Sequence, residues 1–338
     1  MRKARNGRSA GLAALVMMCA AAAPAAAGCL DAKGAQGDLE RLAAGAPGTL
    51  GACIADDGGQ ACVRGRQPMP MQSVAKLLVA FAALDAAEHG RLDLDAPILV
   101  RRQDLSAFHQ PIAKEVGPNG LTTTLRDLIV RAVVQSDSAA ADILTVRLGG
   151  PEAVQAAIRR RGLQGLRVDR DERHEQAEIV GLSWRPGYVD DKVLQRAIAA
   201  VPKARRQAAF DAYRRDERDT ATPEGMARFL LRLERGELLS PASTRFLLDV
   251  LERTTTFPTR LKAGLPAAWR IGHKTGTSGA WRGLTAASND VGLAYPPHGP
   301  PLAVAAFLKD SRADGTARDR VLAQVARVAA ARCAGAGG

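Results

Sequence analysis

The sequence predicts an α/β chain folded as two lobes, a sheet lobe assembled from both ends of the chain and an all-helical lobe inserted between them. Two observations carry that reading. Strand-like alternation and short apolar runs occur only at residues 48–67 and 269–308, and the long middle of the chain shows helical spacing throughout. A third is the lack of any repeat or long linker, so roughly 310 residues after a leader form one large or two intimate domains with a sizeable core. The seam between the lobes is the natural place for a site.

The elements follow in order. Arg2, Lys3, Arg5 and Arg8 precede a mostly apolar run over 10–23 that ends at Pro24 and three alanines. That is the pattern of a secretory leader over residues 1–28. The run is shorter than the roughly 20 apolar residues a spanning helix requires, and no later stretch reaches that length. Cys29 stands behind Ala26, Ala27 and Gly28, a loose lipoprotein cleavage box without the usual leucine three residues before the cysteine. Ordinary cleavage is the preferred reading and lipidation of Cys29 the alternative.

Residues 36–44 have helical spacing, and 48–55 and 60–67 read as strands around the turn Asp56-Asp57-Gly58-Gly59. Helical patterns then run over 73–88, stopped by Gly90, and over 124–134, 139–148, 152–160, 223–235 and 241–253. Strands return at 269–277, 284–295 and 302–308, followed by a last helix at 316–331. The lobes so defined are 29–72 with 266–338 for the sheet, and 73–265 for the helices.

Cys53 and Cys62 lie symmetrically about the hairpin turn and would face each other across it, so an exported chain would join them. Cys333 pairs with Cys29 if the latter is not acylated; buried free thiols are the alternative in both cases. The formal charge of +12 falls to +8 once the four leader cations are subtracted. The remaining basicity is spread out and not interleaved with aromatics, which argues against a nucleic-acid partner. The five histidines are scattered without ligand spacing, so neither a metal nor a cofactor is expected.

The chemistry sits in three short motifs in a fixed order: Ser73-Val74-Ala75-Lys76, Ser136-Asp137-Ser138, and His273-Lys274-Thr275-Gly276-Thr277. A serine in the first turn of a buried helix directs its N–H, and the positive end of the helix dipole, at an incoming carbonyl oxygen. Lys76, one turn on, shares its face and can handle the serine's proton, although alone it would read as a lysine snorkelling from an amphipathic helix. On a strand, Lys274 and Gly276 point to one face and Thr275 and Thr277 to the other. Gly276 leaves room for a ligand to approach the backbone; a bound amide could pair edge-on with this strand, using the Thr277 N–H as a second oxyanion donor and Lys274 for a carboxylate. Together the three point to active-site serine acyl transfer.

From 48 to 330 the chain resembles a class A serine β-lactamase, of the branch whose lysine strand reads His-Lys-Thr-Gly-Thr-Ser-Gly. Gly149-Gly150-Pro151 and Arg218-Asp219-Thr220 add to the match. The resemblance implies a two-lobe fold with a five-stranded antiparallel sheet, flanking helices and a helical lobe. It implies that Ser73 is acylated by a β-lactam, Lys76 assists proton transfer, Ser136 relays a proton to the leaving nitrogen, and Asp137 is structural. Glu172 falls where the family's deacylating base stands, with Glu175 and Glu178 as rivals, and Arg170 and Asp219 match the pair that closes the family's omega loop. A small β-lactam is the implied partner of a monomer that is periplasmic or secreted.

Departures from the family pattern mark the points to watch. Ser138 replaces an asparagine whose amide would hold the substrate, and Gln176 stands where an asparagine often helps hold the hydrolytic water. The omega-loop region 170–219 is much enlarged and carries Trp184, Pro186-Gly187-Tyr188 and a basic helical stretch over 192–215, which could widen the pocket, cover it or bind a partner. His109 occupies the rim position where an aromatic is common, with an ordinary surface histidine as the plainer reading. Ser288 stands where many members place a carboxylate-binding arginine, leaving Arg260 and Arg282 as substitutes. His273 either tunes Lys274 or simply packs. A D-Ala-D-Ala peptidase with a long-lived acyl adduct, and a sensor that has lost turnover, are the competing functions.

Overall fold

The computed structural model describes residues 28–333, so the expected leader, up to residue 27, lies outside the described residues. Asp31 caps α1 (Ala32–Gly45) by accepting the Gly34 N–H, which starts the helix earlier than its apolar spacing alone suggests. The hairpin β1 (Thr49–Ala55) and β2 (Gln60–Val63) follows. β2 ends well before residue 67, because Arg64 turns into the left-handed region at φ 49° and its carbonyl accepts the Gln67 N–H. β3 (Met69–Pro70) leads to a single 3-10 turn, Gln72–Val74, and then α2 (Ala75–Glu88), which is buried from Lys76 to Ala86.

β4 (Pro97–Val100) and β5 (Leu121–Thr124) form a small separate ribbon. α3 (Leu125–Val134), α4 (Ser138–Leu148) and α5 (Pro151–Arg160) pack around α2, with Thr124 and Asp137 as N-caps. Next come α6 (Glu172–Ile179), α7 (Asp191–Ala200) and α8 (Lys203–Arg215). The basic stretch expected as one helix is thus two, broken at Pro202, which has no N–H to continue the first. β6 (Thr220–Ala221) pairs with β3, and α9 (Pro223–Glu234), α10 (Pro241–Glu252) and the one-turn α11 (Leu261–Gly264) lead back to the sheet.

The sheet is completed by β7 (Arg270–Thr277), β8 (Ala280–Trp281), β9 (Leu284–Tyr295) and β10 (Leu302–Ser311), before α12 (Gly315–Ala331). Its order is β2-β1-β10-β9-β7, all antiparallel, with the two-residue β8 hanging on β9. The five expected strands therefore form the sheet, and β8 is a short addition. One face buries Leu50, Ile54, Val304 and Leu308 against Leu39 of α1 and Leu322 and Val325 of α12. The other face meets α9, whose Phe229 packs edge-to-face on Phe81 of α2 at 5.5 Å between centroids, fusing the lobes into one core.

Cys53 and Cys62 are direct partners in the β1–β2 register and are disulfide-bonded. Cys29 is bonded to Cys333, which ties the two ends of the described chain together. No helix among the described residues is long and apolar enough to cross a membrane.

A bridge between residues 304 positions apart constrains the unfolded chain more than one between residues 9 apart. Replacing Cys29 and Cys333 by serine is therefore expected to lower unfolding free energy by about 2–5 kcal/mol, more than replacing Cys53 and Cys62 does. Urea denaturation of the two double variants measures the difference.

Candidate active site

Ser73 sits in the 3-10 turn that opens α2, half-buried at the seam. The turn is fixed from three directions. Asn289 of β9 donates its side-chain amide to the carbonyls of Pro70 and Met71 at 2.8 and 3.0 Å, and the Met71 N–H donates to Asp219 O at 3.0 Å. On the sheet side, Gly276 of β7 lies so close that a Cβ there would stand 2.4 Å from Met71 O and 3.2 Å from Ser73 N. Only a residue without a side chain lets the strand edge reach the nucleophile's backbone.

Lys76 Nζ donates to Ser73 Oγ at 2.6 Å and lies 2.8 Å from Glu172 Oε1, with both charged side chains almost wholly buried. Ser138, at the start of α4, donates its hydroxyl to the other Glu172 oxygen at 3.2 Å. The position that departs from the family asparagine thus serves the glutamate. Glu172 is seated by its backbone as well: its N–H donates to Asp142 Oδ1 at 2.8 Å, and Arg173 N–H and Ser106 Oγ bond the second Asp142 oxygen. Burial, reinforced by the Asp171 carboxylate, pushes Asp142 up to about 7, while Arg173 pulls the other way.

Lys274 completes the site from the opposite wall, donating from Nζ to Ser136 Oγ and to Thr275 O, both at 2.9 Å. Burial, with Lys76 nearby, holds its ammonium well below the ordinary lysine range. Ser136 is held in the left-handed region at φ 59°, a strain that surrounding bonds must sustain. Asp137 supplies them by accepting Ala140 N–H and Ile112 N–H. On the far face of β7, Thr275 Oγ1 pairs with Thr256 Oγ1 at 2.6 Å, and Thr277 Oγ1 accepts from Arg260 Nη2 at 2.7 Å.

Arg260 is buried, balanced by Asp319 and by carbonyls of Gly276 and Asn289. Of the two substitutes considered for the missing arginine, it reaches the strand; Arg282 stays in the exposed β8–β9 turn. Arg318 of α12, which sequence reasoning missed, donates to Ser288 Oγ at 3.0 Å, and Ser288 is the register partner of Thr277. The serine at the arginine position was the available signal. His273 pairs with Asp290 at 2.9 Å on the face away from Lys274, so it packs and bonds there. His109 is exposed, its ring nitrogen 2.8 Å from Gln135 O and its carbonyl accepting from Ser138 N, which ties the rim to the Ser136 turn.

The loop bearing Glu172 is closed by Arg170, whose Nε lies 2.6 Å from Asp219 Oδ2. Asp219 also caps the N–H groups of Asp169 and Arg170. Glu175, one turn beyond Glu172, points into the protein beside Gln72, and Gln176 donates to Gln72 Oε1 at 3.0 Å. Glu178, the remaining rival, pairs with Arg170 and Arg218 at the surface. Of the three glutamates, Glu172 alone meets Lys76.

A half-buried serine, two buried lysines each bonded to a serine hydroxyl, and a seated carboxylate between a sheet and a helical lobe define an active-site serine acyl-transfer enzyme. A model of the beta-lactamase enzyme family matches residues 35–333. The extended-spectrum beta-lactamase PER-1 of Pseudomonas aeruginosa is 31% identical over 294 residues, covering 86% of this chain and 84% of that protein. Among solved structures, a reconstructed ancestral Gram-negative class A beta-lactamase superposes with a TM-score of 0.69 at 33% identity, over 87% of this chain and 98% of that one. A beta-lactamase from Chitinophaga pinensis DSM 2588 gives 0.70 at 29% identity, over 87% and 97%. The chain belongs to the class A serine β-lactamase family.

Two outcomes follow from this geometry. Gly276→Ala places a methyl group against backbone that cannot retreat, and is expected to lower stability by about 1–3 kcal/mol and to slow acylation, read by thermal unfolding and stopped-flow. Because the depressed Lys274 pKa means its charge is lost on the alkaline side earlier than the ordinary value of 10.5, KM for a carboxylate-bearing substrate should rise with pH before that point. Lys274→Arg should move that alkaline limb upward.

Proposed function

We propose that the protein hydrolyses β-lactam antibiotics through an ester at Ser73 and so confers resistance on its host. The observation that carries this reading is the chain of contacts from Ser73 Oγ through Lys76 Nζ to Glu172 Oε1, at 2.6 and 2.8 Å. Ser73 Oγ attacks the lactam carbonyl while its proton passes to the Lys76–Glu172 pair. The N–H groups of Ser73 and Thr277 receive the oxyanion, and Ser136, paired with Lys274, passes a proton to the departing nitrogen and is reloaded with the one taken from Ser73, which leaves Glu172 a free carboxylate again. Lys274 from one face of β7, and at the strand edge the hydroxyls of Thr275 and Thr277 that Thr256 and Arg260 hold from the other face, form the anionic subsite for the substrate carboxylate, and Ser138, Gln176 and His109 border the rest of the pocket.

Deacylation then requires water made nucleophilic. Glu172 takes the proton, the hydroxide attacks the ester carbonyl, and Ser73 leaves with a proton returned from Lys76. A D-Ala-D-Ala peptidase would share Ser73, Lys76, Ser136 and Lys274 but would have no use for a carboxylate seated as Glu172 is. We read the mature protein as an exported monomer, periplasmic or secreted, with Cys29 committed to its disulfide and so not lipidated.

Purified protein should open a chromogenic cephalosporin with multiple turnovers. Glu172→Ala should acylate once and stall, visible by mass spectrometry as a persistent adduct, with a loss in deacylation rate on the order of a hundredfold or more. Turnover surviving in Glu172→Ala would remove that residue as the deacylating base; a wild type that only accumulates adduct would favour the peptidase or sensor.

A further inference from the structure

The enlarged omega region does not simply cover the molecule. α8 is anchored on the sheet at three places: Phe210 and Tyr213 pack with Ala286, Gln207 accepts the Trp281 indole N–H at 2.8 Å, and Arg214 pairs with Asp310 at 2.6 Å. From that base the Tyr213 hydroxyl reaches across to Gln72, the residue directly before the nucleophile, and accepts a hydrogen bond from its side-chain amide. Gln72 Nε2 also donates to Glu175 Oε1 at 3.2 Å, and Gln72 Oε1 accepts from Gln176 Nε2 at 3.0 Å. Gln72 as a whole is 1% exposed.

Gln72 also has φ 51°, a left-handed conformation that a glutamine adopts only where its surroundings impose it, at a strain on the order of 1–3 kcal/mol. The side-chain bonds that hold it come from α6 and from the inserted α8. Rotation at Gln72 would swing Ser73 and its N–H relative to the β7 edge, where Gly276 leaves no slack. Burial, together with the Asp219 and Glu172 carboxylates, raises Glu175 well above the ordinary carboxyl range while Arg170 and Lys76 pull the other way, and burial raises the Tyr213 phenol as well.

We propose that Tyr213 is a positioning residue for the nucleophile: by holding the Gln72 carboxamide it fixes the Ser73 turn and, through the same carboxamide, the side chain of Gln176, one turn along Glu172's own helix. The insertion is then a working part of the catalytic centre. This rests on the hydrolase reading above.

Tyr213→Phe removes one hydroxyl and leaves the packing. Single-turnover acylation by a chromogenic cephalosporin is expected to slow by about fivefold to tenfold, the worth of one well-placed hydrogen bond, with substrate Kd and thermal midpoint nearly unchanged. Gln72→Ala should slow it similarly, and the double variant should lose no more than Gln72→Ala alone. Lys203→Ala, an exposed change at the start of α8 that touches neither Gln72 nor the sheet, should acylate at the wild-type rate. Wild-type acylation in Tyr213→Phe, additive losses in the double variant, or equal slowing in Lys203→Ala would each overturn the proposal. Amide exchange provides a readout that needs no turnover. Tyr213→Phe should speed exchange at residues 72–74 but not along α2, and unchanged exchange would overturn the proposal even if the wild type proved not to hydrolyse β-lactams.

Discussion

The structure is organised around a buried ammonium that has to be neutralised. Lys76 is 1% exposed on a helix surrounded by apolar residues, and a charge so placed survives only against a close counter-charge. Glu172 is that counter-charge, and its own helix belongs to a long excursion of the chain that must be pinned down. Asp142 anchors it at the α4 side, and the Arg170–Asp219 pair closes the loop from the other. Because the Asp219 carbonyl also accepts the Met71 N–H, the closure of this loop and the placement of the nucleophile turn are one structural event.

Much of this was legible in the sequence because it depends on local pattern. Alternation on β7 assigned Lys274 and Gly276 to one face and the two threonines to the other, and the Ser73–Lys76 spacing put hydroxyl and amine on one helix face. The glutamate rested on alignment with a family, since three acidic residues in one short helix look alike until their partners are known. Only the fold separates them: Glu172 meets Lys76, Glu175 meets Gln72, and Glu178 meets arginines at the surface.

What was not legible lies in contacts between residues far apart in the chain. Tyr213 and Gln72 are separated by 141 positions, and nothing near either announces the other. Asp142 follows Ser138 by one helical turn, a spacing shared by any helix, and its importance comes from the two backbone N–H groups that α6 presents to it. Arg260 could not be ranked above Arg282, and Arg318 was not found at all, because charge alone does not reveal reach; the register that sets Ser288 beside Thr277 does.

The strand order has a kinetic meaning. β1 is made almost at the start of the chain, yet its partner β10 is made almost at the end, with Thr49 set against Lys309. Such pairing gives the molecule a high contact order, and the entropy of closing so large a loop must be met before any of it is rewarded. As the polypeptide emerges from the ribosome, β1 has only β2 for company, and the central sheet cannot close until β10, about 250 residues later, has been synthesised. The nucleophile turn, whose Pro70 and Met71 carbonyls accept the Asn289 side-chain amide, consequently takes its final shape among the last steps of folding.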